Sequence, residues 1–279
     1  VQEAEVLAKL SHPGIAQVYE AGRHHDADGD VPFFAMEFVG GARTILEHAT
    51  KAGLDRRARL ELFAVVCEAI QHAHQRGVIH RDIKPSNILI DAEGHPKIID
   101  FGVACATEQD LRVTAIQATG TAFVGTPLYM SPEQFTDPSG IDTRGDVYSL
   151  GVVLYELLCG RLPYEFATDS VIEVARVVGH VDPARPSAVD RSLRGDLEVI
   201  LLKALSKERS QRYQSASELA EDVRLFLAGE PIRARPPTVS YRVARFVARR
   251  RWQVATAASA VLIACVGAAS LFIVRAAHR

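Results

Sequence analysis

Cysteine is scarce in this chain, and the four that occur, Cys67, Cys105, Cys159 and Cys265, show neither close pairing nor metal-ligand spacing. Reduced, buried thiols are therefore expected, and nothing points to a disulfide-stapled fold. An excess of either charge is also lacking. The 32 Lys and Arg against 34 Asp and Glu leave a net charge of −2, which selects no class of partner. There is no internal repeat and no nucleic-acid motif, so no nucleic-acid partner is expected. Asp26, Asp28 and Asp30 have the spacing of a calcium loop, but Val31 stands where that loop needs glycine and no helix follows. A solvated turn between strands is the better account of them. What is present is ordinary for a globular domain, with 48% hydrophobic and 24% charged residues. Residues 1 to about 229 are enough for one large core.

The most informative stretch is His80-Arg81-Asp82-Ile83-Lys84-Pro85-Ser86-Asn87, followed thirteen residues after Asn87 by Asp100-Phe101-Gly102. A carboxylate, an ammonium, a carboxamide and a second carboxylate at this spacing point to phosphoryl transfer. Either tripeptide alone would recur by chance; the eight-residue run with the second motif at that distance would not. The flanks suit strands: Asn87–Ile90 and Lys97–Ile99 are short apolar runs separated by the turn-forming Asp91-Ala92-Glu93-Gly94. They predict a hairpin with Asn87 and Asp100 at its edge.

The stretch resembles the catalytic and Mg²⁺-binding loops of the eukaryotic-like (Hanks-type) protein kinases, and the whole of residues 1–229 resembles a bacterial transmembrane serine/threonine member. The resemblance implies an α+β, two-lobed protein kinase fold that binds ATP and Mg²⁺. Asp82 would orient a substrate hydroxyl and accept its proton, and Lys84 would offset charge on the transferred group. Asn87 and Asp100 would be the protein's oxygen ligands to Mg²⁺. Gly125-Thr126-Pro127-Leu128-Tyr129-Met130-Ser131-Pro132-Glu133 resembles the segment closing an activation loop, with Ser131 in the usual place of alanine. Asp142 to Gly151 resembles the start of the long central helix, where Asp146 would hold catalytic-loop amides. Arg212 would pair with Glu133. Lys84-Pro85-Ser86-Asn87 with Gly125-Thr126-Pro127 is similar to the Ser/Thr-specific branch, so protein Ser/Thr substrates are implied. Among Thr107, Thr114, Thr119, Thr121 and Thr126, Thr119 and Thr121 are the preferred phosphorylation sites, and a phosphate there would pair with Arg81. His72, His74 and His80 come near a metal-like cluster, but they lie on what resembles the helix before a catalytic loop, which favours packing.

Upstream, Glu3 to Ile15 reads as a helix closed by His12-Pro13-Gly14 and resembles the regulatory helix of the small lobe. Glu3 would then pair with an ATP-positioning lysine. Phe33 to Gly41 resembles the strand and hinge against which adenine packs, with Met36 as gatekeeper, backbone groups of Glu37, Phe38 and Val39 bonding the ring, and Leu89 as its apolar floor. The family's glycine-rich loop and strand lysine should precede Glu3 and neither is present; Lys9 and Lys51 are poor replacements. The chain starts at Val1, and the expectation is an N-terminally truncated kinase that is inactive in this form. The missing strands would leave one sheet edge uncovered.

The C-terminal part differs in composition. Trp252 to Val274 are 23 residues without a charge, roughly 34 Å as a helix and enough to cross a bilayer. Arg242, Arg245, Arg249, Arg250 and Arg251 precede this span, whereas only Arg275 and Arg279 follow it. That bias puts the N-terminal side in the cytoplasm and residues 275–279 at the start of an extracytoplasmic segment. Residues 230–251, with Pro231, Pro236 and Pro237, read as a basic juxtamembrane linker that would touch anionic membrane lipid. Thr256, Ala260, Ala264 and Ala268 fall four apart, a stripe through which a homodimer would form. The expectation is thus a single-pass cell-membrane signalling kinase. A membrane-tethered pseudokinase scaffold is the alternative, opposed by the intact Asp82, Lys84, Asn87 and Asp100, and a membrane adaptor using only the linker and helix is a third.

Overall fold

A computed structural model describes residues 10–26, 29–101, 127–168, 170–236 and 238. The chain divides into two compact units, Val1–Arg224 and Leu225–Arg279. In the described part of the second, left-handed Gly229 closes a helix and the Glu230 N–H donates to Leu225 O at 2.8 Å. Glu3, the five activation-segment threonines, Cys105, Cys265 and the 252–274 span lie outside the described residues. Among the described residues no helix is long and apolar enough to cross a membrane.

The first unit begins with the expected His12-Pro13-Gly14 turn, closed by an Ile15 N–H to His12 O bond at 3.0 Å. Strands β1 (Val18–Asp26) and β2 (Gly29–Met36) then form an antiparallel hairpin that pairs Val18 with Met36 and turns between Asp26 and Gly29. Asp26 and Asp30 of the calcium-like spacing are therefore paired-strand residues beside this turn, and Asp28 lies outside the described residues. After the hinge, β3 (Arg43–Thr44) pairs with β4 (Ile88–Ile90), which pairs with β5 (Pro96–Ile98). The predicted β4–β5 hairpin is present, with Gly94 at a φ of 91° in its turn and Asp91 Oδ1 accepting from the Glu93 and His95 amides. β4 starts one residue later than expected and ends at Ile90 as expected, and β5 lies one residue earlier at both ends. Asn87 belongs instead to a 3₁₀ turn (Pro85–Asn87), because its N–H is committed to Lys84 O.

Helices carry the rest: α1 (Ile45–Lys51), α2 (Arg56–His74), α3 (Pro132–Thr136), α4 (Thr143–Cys159), α5 (Val171–His180), α6 (Pro186–Val189), α7 (Asp196–Ala204) and α8 (Ala216–Leu227). Their starts follow local chemistry. Thr44 and Glu47 make a capping box on α1, Asp55 caps α2 through the Ala58 amide, and Asp142 caps α4 through the Arg144 amide. On α2, Leu60, Phe63, Val66, Cys67 and Ile70 are buried at helical spacing, and they face α4 and β5. Helix α4 is buried nearly all round, as the apolar Val147 to Leu157 run requires. Cys67 and Cys159 are free thiols, and burial pushes Cys159 up to about 11. Where α4 crosses α7, a Cβ on Gly151 would lie 2.8 Å from Ala204 Cβ, so only glycine permits this approach.

One polar cross-tie runs through this core. Arg212 and Glu133 are both buried, and the guanidinium grips the carboxylate with Nη1–Oε1 at 2.6 Å and Nη2–Oε2 at 2.8 Å. Its other donors go to Ser206 O (2.6 Å), Arg144 O (3.0 Å) and Lys207 O (2.9 Å), so all five N–H groups are satisfied. The pairing expected from the sequence is thus present. Burial alone would raise the Glu133 carboxyl, but the Arg212 fork outweighs it and holds the group below its ordinary 4.5.

Two outcomes follow for stability. Gly151→Ala should destabilise by about 1–2 kcal/mol in urea unfolding, because overpacking outweighs the helix-propensity gain of about 1 kcal/mol. Arg212→Ala should cost about 3–5 kcal/mol by leaving Glu133 buried and unpaired. In the parent, the Glu133 contribution should be complete above pH 4.5 and lost as pH falls through the lower folded-state value; acid unfolding of Arg212→Ala should lack that step.

Candidate active site

The loop between α2 and β4 carries Asp82, Lys84 and Asn87, and its shape is set from below by Asp146 near the start of α4. The buried Asp146 carboxylate accepts the His80 N–H on Oδ2 and the Arg81 N–H on Oδ1, each at 2.8 Å. Oδ2 also bonds His74 Nε2 at 2.7 Å. Burial would raise this carboxyl; the His74 bond and the backbone donors outweigh it and keep it below the usual range. Since a carboxylate only accepts, His74 donates from Nε2, and its buried Nδ1 lacks a partner among the described residues.

Arg81 stands at a φ of 65°, a left-handed conformation that costs a non-glycine residue about 1–3 kcal/mol. It is held from both sides: its N–H goes to Asp146, and its carbonyl accepts from Gln134 Nε2 at 2.7 Å. Gln134 is itself fixed by Ser131, whose N–H (2.9 Å) and hydroxyl (3.1 Å) both donate to its Oε1. The serine in the usual place of alanine therefore has a job, capping α3 and aiming Gln134 at the loop. This link escaped the sequence analysis, although Ser131-Pro132-Glu133-Gln134 has the spacing of a capping box.

His80 is wholly buried. Its Nε2 lies 3.0 Å from Ile99 O, its Nδ1 accepts the Asp82 N–H at 3.3 Å, and its ring stacks on Phe101 at 4.7 Å. Those partners fix a neutral Nε2–H tautomer, and burial lowers its pKa. The three clustered histidines have separate employment: His74 on Asp146, His80 on Ile99, and His72 on Arg76 (3.1 Å) and against the His12 ring (4.7 Å).

Above this base the functional side chains converge. Lys84 Nζ donates to Asp82 Oδ2 at 2.7 Å, and Asn87 Nδ2 donates to Asp82 O at 2.9 Å and to Oδ2 at 3.3 Å. Both partners of Nδ2 are acceptors, which fixes the amide orientation and leaves Oδ1, which takes only a long 3.4 Å bond from Ser86 Oγ, with a lone pair for a cation. Asp100 is exposed at a φ of 57°, one residue beyond Ile99, whose N–H bonds Asn87 O at 3.0 Å. Asn87 and Asp100 thus leave the same end of the β4–β5 hairpin, an oxygen-only pair that suits Mg²⁺.

The stretch expected to form the nucleotide side is also tied down. Glu37 N–H donates to Gln17 O (2.8 Å), so of the backbone groups in the expected hinge the Glu37 amide is already engaged. The Glu37 side chain bonds Lys97 Nζ at 2.6 Å and the Gln17 N–H at 3.1 Å, which ties the hinge to β5 and holds that carboxyl below its ordinary value. Leu89 alternates with the buried Ile88 and Ile90 and shares the opposite, half-buried face with Lys97. Met36 is half-buried at the end of β2, and the Phe38 side chain points away from any core at 91% exposure.

A mixed helix-and-sheet chain with this loop, clamp and hairpin has the architecture of a protein kinase. The family profile described as protein kinase domain matches residues 1–223, and the chain belongs to that family. It is 40% identical over 232 residues to serine/threonine-protein kinase PknB of Mycobacterium leprae, covering 82% of this chain and 36% of that protein. It is 38% identical over 235 residues to a probable serine/threonine-protein kinase of Streptomyces coelicolor, covering 84% and 34%. To serine/threonine-protein kinase PrkC of Bacillus subtilis it is 37% identical over 227 residues, covering 80% and 33%. The chain spans about a third of the length of these relatives.

His80 should remain neutral as pH falls. Long-range ¹⁵N–¹H spectra should show the neutral Nε2–H tautomer still predominating at the ordinary imidazole value of 6.5. The unfolded chain takes up a proton near the ordinary 6.5 that the folded chain refuses. Stability from this residue should therefore decline as pH drops below 6.5, and His80→Phe, which keeps the ring stack, should flatten that slope.

Proposed function

We propose that the protein transfers the γ-phosphate of ATP to Ser or Thr hydroxyls of other proteins. The observation that carries this is the Asp82 carboxylate, bonded to Lys84 and Asn87 on a loop that Asp146 clamps. The names of the relatives, all serine/threonine-protein kinases, support the same substrate class.

In this account Asp82 orients the substrate hydroxyl and accepts its proton as the new O–P bond forms and the bond to the leaving ADP oxygen breaks. Lys84 neutralises charge on the phosphoryl oxygens. Asn87 Oδ1 and Asp100 hold Mg²⁺, which supplies charge neutralisation for the phosphates. The Glu37 carbonyl and the Val39 backbone bind the adenine edge, Leu89 lies beneath the ring, and Met36 bounds its depth. Glu3 would complete the nucleotide side by pairing with an ATP-positioning lysine that the given residues do not include. A phosphate on Thr119 or Thr121 would meet Arg81, which is half-buried beside Asp82.

Residues 1–229 form the kinase domain, 230–251 a basic linker against anionic lipid, and 252–274 a membrane-spanning helix that keeps the kinase on the cytoplasmic side. Pairing of that helix would bring two kinase domains together. What supports this part is the uncharged 23-residue run and the arginine bias before it.

The test is phosphate incorporation from γ-labelled Mg-ATP into a mixed protein substrate by the full-length gene product and its Asp82→Asn variant. The expected result is Ser/Thr labelling that falls by about 10²–10⁴-fold in the variant. ATP binding without transfer, unchanged by Asp82→Asn, would point to a scaffold and contradict the proposal.

A further inference from the structure

The family account leaves unused a cleft on the helical part, built by the residues around α6, the 3₁₀ turn Arg191–Leu193 and the first turn of α7. Its volume is about 460 Å³, and it is lined by Arg185, Ser187, Arg191, Arg194 and Glu198. A volume of this order accommodates a small ligand or one side chain with its backbone.

The charges do not balance within the cleft. Three arginines and one glutamate give +3 − 1 = +2. Glu198 is engaged: Oε2 accepts the Ser187 N–H at 3.1 Å, and Oε1 lies a loose 3.9 Å from Arg185 Nη1. The nearby Asp190 is taken by Arg56 at 3.2 Å and by the Ser192 amide and hydroxyl at 2.8 and 2.6 Å. Arg191 and Arg194 are exposed, and their guanidinium groups have no hydrogen bond or ion pair among the described residues. Their backbone is nonetheless well fixed. Asp190 caps the turn, Leu193 is buried, and Gly195 at a φ of 118° sets the chain's direction into α7. The forks are thus presented from a rigid rim, which lowers the ordering cost of binding.

We propose that this cleft binds a phosphorylated Ser or Thr side chain of a protein segment. A phosphate monoester carries about −1.5 to −2 charge and three acceptor oxygens, which matches a +2 cleft with two unpartnered guanidinium forks. A carboxylate offers one charge and two oxygens. A membrane surface is better met by a convex basic face than by a concavity that Glu198 also lines. The proposed activity would supply the ligand, so the cleft would retain segments that the protein, or another copy of it, has already phosphorylated. Only that source rests on the kinase reading.

Binding is measured without ATP or Mg²⁺, so the result is independent of activity. The full chain in zwitterionic detergent is titrated by fluorescence anisotropy with a labelled phosphothreonine peptide and its unphosphorylated twin. The expected result is a preference for the phosphopeptide on the order of tenfold or more, weakened by salt and by inorganic phosphate. Arg191→Glu/Arg194→Glu should abolish it with unchanged thermal unfolding, whereas Arg43→Glu/Arg76→Glu, equal in charge and placed on β3 and beyond the far end of α2, should keep it. Equal binding of the two peptides would overturn the proposal. So would equal loss in both double variants, or capture of phosphatidylserine vesicles without any phosphopeptide preference.

Discussion

The placement of Asp82 depends on a carboxylate it does not touch. Asp146 is buried where a lone charge would be strongly disfavoured, and it stays ionised because His74 and two backbone N–H groups surround it with donors. In return it fixes the backbone on both sides of the His80–Arg81 peptide. The left-handed turn at Arg81 then survives because Gln134 holds the other end of the same residue. If the proposed phosphoryl transfer is this protein's reaction, pre-set geometry of this kind is what it would draw on, since that chemistry asks little covalent work of the protein.

The same economy recurs at a larger scale. Gln134 belongs to α3, α3 carries Glu133, and Glu133 is locked to Arg212, so the segment that ends the activation loop is fastened both to the catalytic loop and to the end of the helical core. The hydrogen bond from Ile99 N–H to Asn87 O joins the two ends of the β4–β5 hairpin, and His80 caps that junction through Ile99 O. Loop, hairpin and α3 therefore behave as one polar frame lying over the apolar faces of α2 and α4. Strain at Arg81 is sustained by the frame as a whole.

Much of this was legible in the residues because it is local. The hairpin follows from two apolar runs around Asp91–Gly94, the helix starts follow from Asp55, Thr44 and Asp142, and the catalytic motif carries its own spacing. The Asp146 and Arg212 links came through family resemblance, since 65 and 79 residues separate Arg81 from Asp146 and Glu133 from Arg212, and no periodicity spans such distances. The bonds from His74 to Asp146 and from Gln134 to Arg81 were invisible for the same reason. Ser131 is instructive: standing in the usual place of alanine, it is a buried cap whose hydroxyl has a partner. Asn87 was assigned to a strand because its neighbours are apolar, yet its amide is already spent on Lys84 O. Glu3, the threonines and the 252–274 span lie outside the described residues, so for them the sequence argument stands alone.

The central claim is that Asp146 holds the catalytic loop through the His80 and Arg81 amides, and hydrogen exchange at those two amides tests it directly. In the parent protein both should exchange as slowly as the core of α2, and in Asp146→Asn they should speed up by at least about tenfold while α2 stays protected. Rapid exchange at both amides in the parent, or equal protection in the variant, would contradict the account.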